Sequence, residues 1–209
     1  MSDNVQVEVK KMPNTVVAMV GVLTLIAVLS GAALGITDRV TNEKIQSNRV
    51  ARRMDAVKVA LPEYNNDPAL EIWEHPEVEG AAVYPARLDG EIAGVAVLAR
   101  TGKGYSGNID GIVGFSPEGR ITKVVILRHA ETPGLGARIT EEDFTNQFVG
   151  MSPLQNKLLV AKDMVDGATK VDAITAATIS SRAVIDLINS AAQTHVDYSR
   201  QPEYHGGEK

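Results

Sequence analysis

Cysteine is absent from this chain of 209 residues, and several kinds of site are excluded with it. Without thiols the protein forms no disulfide, no thiolate metal site and no cysteine-ligated iron–sulfur cluster. The four histidines are widely separated and show no spacing typical of metal ligands. The net charge is -5 and the basic residues are scattered, which argues against a nucleic-acid partner. Alternating strand–helix units are also missing, which argues against a Rossmann fold.

One long uncharged stretch runs from residue 14 to residue 36. A helix of about 23 residues reaches about 35 Å, which is enough to cross the hydrocarbon core of a bilayer. We therefore predict a polar tail over residues 1–13 and a transmembrane helix over residues 14–36. A secretory signal peptide has a shorter apolar region, but Ser30-Gly31-Ala32-Ala33 resembles a cleavage site, so removal of the segment stays open.

The residues after this span predict a second helical segment and then a globular domain. Apolar residues recur there on one side of a helix, at Val50, Met54, Val57 and Leu61. Pro62 cannot continue a helix. We predict a connecting amphipathic helix over 37–61, a globular domain over 62–198 and a polar tail over 199–209.

Two hairpins form the centre of the predicted domain. Asp89-Gly90 is a turn signal between strands over 84–88 and 91–99. A second turn, over 116–119, joins strands over 108–115 and 120–128. The other predicted elements are a short helix over 141–148 capped by Thr140, short strands over 158–161 and 170–174, and a last helix over 181–192. This pattern predicts an α+β fold with a mostly antiparallel sheet and flanking helices, preceded by one N-terminal transmembrane helix.

A hydroxyl-rich run precedes the last predicted helix. Residues 172–181 carry four hydroxyl side chains and contain neither glycine nor proline. A loop that leads into a helix offers free backbone N–H groups and the positive end of a dipole, which suits a phosphate. From composition alone, Ser180 or Ser181 merely caps the helix and the threonines are β-branched strand residues.

The same run resembles the flavin-attachment motif of the FMN-binding domain family. It reads Asp-x-x-Thr-x-Ala-Thr from Asp172, followed by Ile-Ser-Ser-x-Ala-Val. In that family the last threonine of the motif carries FMN through a phosphoester bond, which implies covalent FMN on Thr178. The resemblance also implies further residues at the cofactor, namely Asp172, Thr175, Ala177 and Ser180. Ala176 stands where the family usually has glycine, so the backbone there must avoid a positive φ or absorb strain.

A second segment competes with this motif. Residues 163–169 read Asp-x-x-x-Gly-Ala-Thr and end in Thr169. This segment has Asp166 where the motif has serine or threonine, and no helix start follows it. An anionic Asp166 beside a phosphate is unfavourable, so we predict attachment at Thr178 rather than at Thr169.

The middle of the chain carries a further motif, over residues 129–136. It follows an apolar strand, and Pro133-Gly134 with a second glycine makes a tight turn where backbone can approach a planar ligand closely. By itself such a turn is ordinary. Together with the Thr178 motif it resembles the second flavin-site motif of the family. The resemblance implies that Glu131 and Thr132 lie at the FMN, and that the pocket wall is shaped by Gly134, Leu135 and Gly136.

A Gly-rich loop over residues 102–107 has two possible roles. It could cradle a phosphate, but no helix follows it, so a flexible connection between strands is the alternative. A flavin contact from Tyr105 or Ser106 stays open.

The resemblance extends over nearly the whole chain to the G subunits of Rnf electron-transport complexes. It implies a membrane-anchored flavoprotein subunit that relays electrons in a ferredoxin- and NAD-linked, ion-pumping complex, without independent catalysis. The implied partners are the other membrane subunits of the complex and a flavin transferase for maturation. Three alternatives stay open. They are a C subunit of the sodium-pumping NADH:quinone oxidoreductase, a membrane-tethered binding or sensory domain without flavin, and a stand-alone flavin reductase.

Charge and resemblance disagree about topology. Lys10 and Lys11 precede the span, and five basic residues follow it between Arg39 and Arg53. The positive-inside rule then puts the domain in the cytoplasm, although long translocated domains weaken that rule. The resemblance implies the inner membrane with the domain on the extracytoplasmic side.

Overall fold

The computed structural model describes residues 15–163 and 165–205. The predicted tail over 1–13 lies outside the described residues, as do residues 206–209 of the predicted C-terminal tail. The described chain divides between Arg49 and Val50 into two compact units.

Helix α1 spans Thr15–Ala60 and covers both helical segments that the sequence predicts. From Val16 on, it is long and apolar enough to cross a membrane, judged by length and composition. The hydroxyls of Thr24 and Thr37 donate to carbonyl oxygens one turn earlier, each over 2.9 Å. Such internal hydrogen bonds satisfy hydroxyl groups that have no water to bind in hydrocarbon.

The second unit is built on a five-stranded antiparallel sheet whose strands lie in chain order. The strands are β1 (Trp73–Glu74), β2 (Ala82–Leu88), β3 (Glu91–Thr101), β4 (Ile109–Phe115) and β5 (Ile121–Arg128). Both predicted hairpins are present. In the first, Asp89 and Gly90 have φ values of 54° and 90°, as a tight two-residue turn of the hairpin type requires.

Helices cover both faces of this sheet. Side chains alternate along a strand, so neighbouring residues of β3 enter different layers. Val95 and Val97 join the core that contains α3 (Thr178–Ser199), whereas Ala96 and Leu98 join the core at the end of α1. The fold is therefore α+β with a mostly antiparallel sheet and flanking helices, preceded by one N-terminal apolar helix, as the sequence predicts.

The C-terminal end of α1 is held tightly on the sheet. Val57 and Leu61 from the predicted apolar stripe are buried there. The hydroxyl of Thr122 on β5 donates to the carbonyl oxygen of Ala60 over 2.8 Å, which satisfies one carbonyl at the helix end. A Cβ on Gly114 would collide with the same carbonyl group. Glycine on β4 is therefore what permits this close approach.

The remaining elements are shorter than the sequence predicts. A four-residue helix, α2 (Glu142–Thr145), lies between 3-10 turns at Gly136–Thr140 and Asn146–Phe148. The prediction that Thr140 caps α2 is wrong, because Glu141 is the N-cap residue and the Thr140 hydroxyl donates to Ala137. Strands β6 (Leu158–Val160) and β7 (Thr169–Val171) form the one parallel pair among the described strands.

The C-terminal half of α3 packs into the core of the domain. His195 is buried and stacks on Phe115 of β4, with ring centroids 5.2 Å apart and planes at 17°. Neither ring nitrogen of His195 has a hydrogen-bond partner among the described residues. Beyond α3, a 3-10 turn at Pro202–His205 packs Tyr204 against the core. Burial lowers the pKa of His195 from 6.5 to about 4, because a charged imidazole would lose its hydration.

Candidate functional site

The candidate site is centred on the start of α3, which differs from the prediction. The helix begins at Thr178 rather than at residue 181, with Ala177 as N-cap and no side-chain cap. Neither Ser180 nor Ser181 caps it. Instead the Ser181 hydroxyl accepts from the Ile174 N–H and donates to the Ala177 carbonyl, each over 3.0 Å. Ser181 therefore holds the loop before the helix, and no side chain caps the N–H groups of the first turn.

The first turn of α3 has free hydrogen-bond donors. The Ser181 N–H donates to the Ala177 carbonyl over 3.0 Å, but within the described chain the N–H groups of Thr178, Ile179 and Ser180 have no partner. The half-buried hydroxyl of Thr178 also makes no hydrogen bond to any described residue. Free N–H groups and the helix dipole together favour an anion at this end. The arrangement places an unpaired hydroxyl beside a helix end whose free N–H groups point away from the helix.

The loop before Thr178 is strained. Ala176 has a φ of 61°, in the left-handed region. For a residue with a Cβ this conformation costs roughly 1–2 kcal/mol. The Ala177 N–H donates to the Ile174 carbonyl over 3.0 Å and closes the turn. The sequence predicts that the backbone at Ala176 either avoids a positive φ or absorbs strain. The second outcome is observed.

Glu131 connects three separate segments beneath this helix end. Its side chain is only 4% exposed. One carboxylate oxygen accepts from the Ser180 hydroxyl over 2.5 Å, and the other accepts from the Ser106 N–H over 3.1 Å. A buried carboxylate near the N-terminus of a helix is stabilised by the dipole and by charge-assisted hydrogen bonds. Glu131 thereby links the turn after β5, the Gly-rich loop and the first turn of α3.

Two glycines let the backbone close around this carboxylate. A Cβ on Gly136 would lie 2.6 Å from the Ser180 Oγ and 2.7 Å from the Glu131 Oε2. A Cβ on Gly104 would lie 2.6 Å from the Glu131 Oε1. Gly134 differs, because a Cβ there meets open space but its φ is 73°. Gly136 is therefore needed for close approach and Gly134 for backbone conformation.

Large apolar side chains are exposed around the same place. Tyr105 from the Gly-rich loop, Leu135 from the turn and Ile179 from α3 are 68%, 45% and 49% exposed. Each belongs to one of the segments that Glu131 connects. Thr132 is exposed on the same turn, where its carbonyl accepts from the N–H groups of Leu135 and Ala137. The structure therefore brings the two sequence motifs to one surface.

Two other predicted site residues lie before the helix with different surroundings. Asp172 is exposed, and its carboxylate pairs with the Lys170 ammonium over 2.8 Å. Its backbone N–H donates to the Gln147 side chain over 2.9 Å. Thr175 is exposed in the loop. Asp172 is thus held on the loop by Lys170 and Gln147.

The competing threonine has a different environment. Thr169 is the first residue of β7, and its N–H donates to the Lys157 carbonyl over 2.9 Å. No helix begins there. Thr169 therefore lacks the free N–H groups that surround Thr178.

Sequence reasoning missed a groove beside α3. It has a volume of about 440 Å³ and is lined by residues that include Lys103, Ile179, Arg182 and Asp186. Two ion pairs border the groove. The Lys103 ammonium pairs with Asp186 over 2.5 Å, and the Arg182 guanidinium pairs with Asp163 over 2.6 Å. The hydrogen bonds of the second pair lower the pKa of the Asp163 carboxyl. Of the residues that line this groove, Lys103 lies in the Gly-rich loop identified from the sequence. Nothing in the sequence, however, places that loop beside α3.

Comparison with known proteins identifies the domain in which these residues lie. Residues 104–193 match the family described as FMN-binding domain, and this range contains both Glu131 and Thr178. The chain thus carries an FMN-binding domain.

The full-length comparisons define the family more closely. The chain is 31% identical over 192 residues to the G subunit of the Na(+)-translocating ferredoxin:NAD(+) oxidoreductase complex of Acetobacterium woodii, and the match covers 86% of this chain and 91% of that protein. It is 31% identical over 193 residues to the G subunit of the ion-translocating oxidoreductase complex of Methanosarcina acetivorans, with 90% and 95% covered. The chain belongs to the family of G subunits of ion-translocating oxidoreductase complexes, which confirms the resemblance to Rnf G subunits.

Two solved structures are also similar. The C subunit of the Na(+)-translocating NADH-quinone reductase of Parabacteroides distasonis has a TM-score of 0.49 and 24% identity, and the match covers 58% of this chain and 63% of that one. NqrC of Shewanella oneidensis has a TM-score of 0.45 and 22% identity, with 67% and 73% covered.

Proposed function

We propose that this protein holds FMN through a phosphoester bond to Thr178 and relays electrons as a membrane-anchored subunit of an Rnf-type, ferredoxin- and NAD-linked ion-pumping complex. The observation that carries the proposal is the unpaired Thr178 hydroxyl at an uncapped helix start. A phosphate on that oxygen would meet the free N–H groups of Thr178, Ile179 and Ser180 and the positive end of the α3 dipole.

The surrounding residues fit the rest of the cofactor. Gly136 leaves room where a Cβ would crowd the Glu131 carboxylate, and Leu135 offers an exposed apolar side chain. Thr132, Gly134, Thr175, Ala177 and Asp172 complete the proposed site. FMN supplies the redox chemistry, and the protein supplies position and electrostatic environment.

Attachment requires a partner that delivers the flavin. A phosphoester to a threonine does not form by simple binding, so we infer a separate flavin transferase. The half-buried Thr178 and the exposed Thr175 and Ile179 beside it leave the hydroxyl accessible to such an enzyme. Electron donors and acceptors would be the other membrane subunits of the complex.

The direct test is flavin attachment in cells. The full chain is produced with a flavin transferase, and denatured protein is analysed by intact mass and peptide mapping. We expect one flavin on the peptide that contains Thr178. Thr178→Val keeps the β-branched shape and removes the reacting oxygen, so the flavin should be lost while the fold remains. Thr169→Val is the matched control and should retain the flavin.

Other results of this test would contradict the proposal. Flavin found on Thr169 would show that the competing motif is the attachment site. Wild-type protein that carries no flavin despite an active transferase would favour the membrane-tethered binding or sensory domain instead.

For topology we propose that the domain lies on the extracytoplasmic side of the inner membrane. The apolar part of α1 supports a membrane anchor. A C-terminal reporter that is active only outside the cytoplasm should be active, and a cytoplasmic reporter at the same position should be silent. The reverse result would mean that the basic residues after the span set the orientation.

A further inference from the structure

Glu131 is a buried carboxylate that makes no ion pair. Its side chain is 4% exposed, and within the described chain none of the salt bridges involves it. Burial removes hydration and therefore favours the neutral form of a carboxyl group. The hydrogen bonds from Ser180 and Ser106 and the dipole of α3 favour the charged form. The charge state of Glu131 therefore depends on opposing effects, with no cation to fix it.

The basic residues of the segments around Glu131 are paired with other carboxylates. These segments are the Gly-rich loop, the end of β5, the 3-10 turn at Gly136–Thr140 and the first two turns of α3. The pairs are Lys103 with Asp186, Arg128 with Asp110, Arg138 with Glu141, and Arg182 with Asp163. The Nδ1 atom of His129 accepts from the Glu131 N–H over 3.2 Å, so this nitrogen carries no proton. The negative charge of Glu131 therefore stays uncompensated among the described residues.

The hydrogen bonds of Glu131 suit a carboxyl group that gains and loses a proton. The Ser180 Oγ lies 2.5 Å from the Glu131 Oε2, and a hydroxyl group can either donate or accept. The Ser106 nitrogen lies 3.1 Å from Oε1, and its N–H needs an acceptor in both states. A proton on Oε2 would therefore reverse one hydrogen bond and leave the other unchanged. Neither charge state leaves Ser106 or Ser180 without a partner.

Charge carried at Thr178 would arrive at the helix turn that Glu131 contacts. Thr178 and Ser180 are two residues apart, which is roughly 3 Å along the helix axis. A phosphodiester on Thr178 holds one negative charge. Reduction of the tethered flavin by two electrons, with uptake of one proton, adds a second. Like charges at short range favour the protonated form of a carboxyl group, so each added charge increases the affinity of Glu131 for a proton.

We propose, resting on attachment of FMN at Thr178, that Glu131 takes up a proton when the flavin is reduced. With the flavin oxidised, Glu131 is a carboxylate that accepts from Ser180. When two electrons and one proton enter the flavin, a second proton passes from solvent to Oε2, and the new hydroxyl donates to the Ser180 Oγ. Oxidation returns this proton to solvent. Electron transfer through this subunit is thereby coupled to proton uptake at a residue of the protein.

The test follows the midpoint potential of the flavin as a function of pH. The full chain is produced with the flavin transferase, attachment is verified by intact mass, and anaerobic redox titrations are compared for wild type and Glu131→Gln. A tenfold change in proton concentration shifts a two-electron couple by about 30 mV for each proton taken up. Over the pH range in which Glu131 exchanges its proton, the slope of the wild type should be steeper than that of Glu131→Gln by about 30 mV per pH unit.

The sign of the difference between the two proteins is also fixed. At high pH the potential of Glu131→Gln should lie above that of the wild type, because glutamine brings no negative charge near the reduced flavin. As the pH falls, the two potentials should converge, because protonated Glu131 is neutral like glutamine.

Glu141→Gln is the matched control. Glu141 is exposed, and its carboxylate pairs with the Arg138 guanidinium over 3.0 Å on the segment that follows the turn. The same chemical change at this position should leave the slope of the wild type unaltered.

Infrared difference spectra report the proton in the wild-type protein directly. Reduction should produce the carbonyl band of a protonated carboxyl group, and this band should shift when glutamate is isotope-labelled and disappear in Glu131→Gln. Equal slopes for wild type and Glu131→Gln, or reduction without this band, would overturn the proposal. An equal loss of slope in Glu141→Gln would also overturn it, because the proton would then not belong to Glu131. Absence of flavin on Thr178 in the wild type would instead overturn the proposed function itself.

Discussion

The hydroxyl of Ser180 donates to the carboxylate of Glu131 over 2.5 Å, across 49 residues of sequence. This hydrogen bond joins the first turn of α3 to the turn that follows β5. Since the other oxygen of the same carboxylate accepts from Ser106, three segments share one buried group. Glu131 therefore positions the surroundings of Thr178, and its contact with the flavin stays a prediction.

Removal of this carboxylate should destabilise the domain. Glu131→Ala leaves the Ser180 hydroxyl and the Ser106 N–H without an acceptor, and each unsatisfied buried group costs about 1–3 kcal/mol. We expect the free energy of unfolding in urea to fall by roughly 3 kcal/mol. Glu131→Gln keeps a carbonyl acceptor and should cost clearly less. Equal losses for the two variants would mean that the charge, and not the hydrogen bonding, is what matters.

The charge of Glu131 should also affect a bound flavin. Glu131→Gln removes a negative charge near the proposed site, so the anionic reduced ring should form more easily and the midpoint potential should rise. The measurement is a redox titration of flavinylated protein. An unchanged potential would place the ring away from Glu131.

The two glycines of the turn should respond differently to alanine. Gly136→Ala pushes a Cβ against Ser180 and Glu131, so flavin attachment measured by mass should be reduced or lost. Gly134→Ala meets no atom, but its positive φ should cost about 1 kcal/mol of stability with attachment retained. If both variants retain full attachment and only lose stability, the turn is a structural corner and does not line the flavin site.

The strained alanine before Thr178 predicts a gain of stability. Ala176→Gly relieves strain of roughly 1–2 kcal/mol but loses about 0.4–1 kcal/mol to the greater freedom of the unfolded chain. We expect a net increase of roughly 0 to 1.6 kcal/mol in the free energy of unfolding. Ala177→Gly, at a φ of -131°, has no such strain to relieve and should destabilise. A loss of stability in Ala176→Gly would show that the left-handed conformation is not the source of strain.

Burial of His195 predicts loss of stability in acid. Its pKa falls from about 6.5 in the unfolded chain to about 4 in the fold, so between these values only the unfolded state binds the proton. The free energy of unfolding is unaffected by this group above pH 6.5 and decreases as the pH falls toward 4, by up to about 3 kcal/mol. His195→Leu should flatten the pH dependence of urea unfolding in this range. An unchanged slope in the variant would assign the acid sensitivity to other groups.

The fold was predictable wherever its cause is local. The Asp89-Gly90 turn, the strands on either side of it and the packing of Val57 and Leu61 each depend on a few neighbouring residues, and each is present. The start of α3 was not predictable in this way. Thr178 has neither a capping side chain before it nor a strong helix propensity. The helix begins there after the left-handed turn at Ala176, and the Ser181 hydroxyl bonds back to Ile174 and Ala177 of that loop.

The sequence by itself determined the apolar span, the hairpins and, through resemblance, the identity of Thr178 as the candidate attachment residue. These depend on periodicity, turn chemistry and short motifs, which are properties of adjacent residues. Only the tertiary structure decided that Glu131 is buried beneath Ser180, that Gly136 must lack a Cβ and that Lys103 and Arg182 border one groove. Those relationships arise from packing between segments far apart in the chain, and the spacing of residues along one sequence carries no information about such distances.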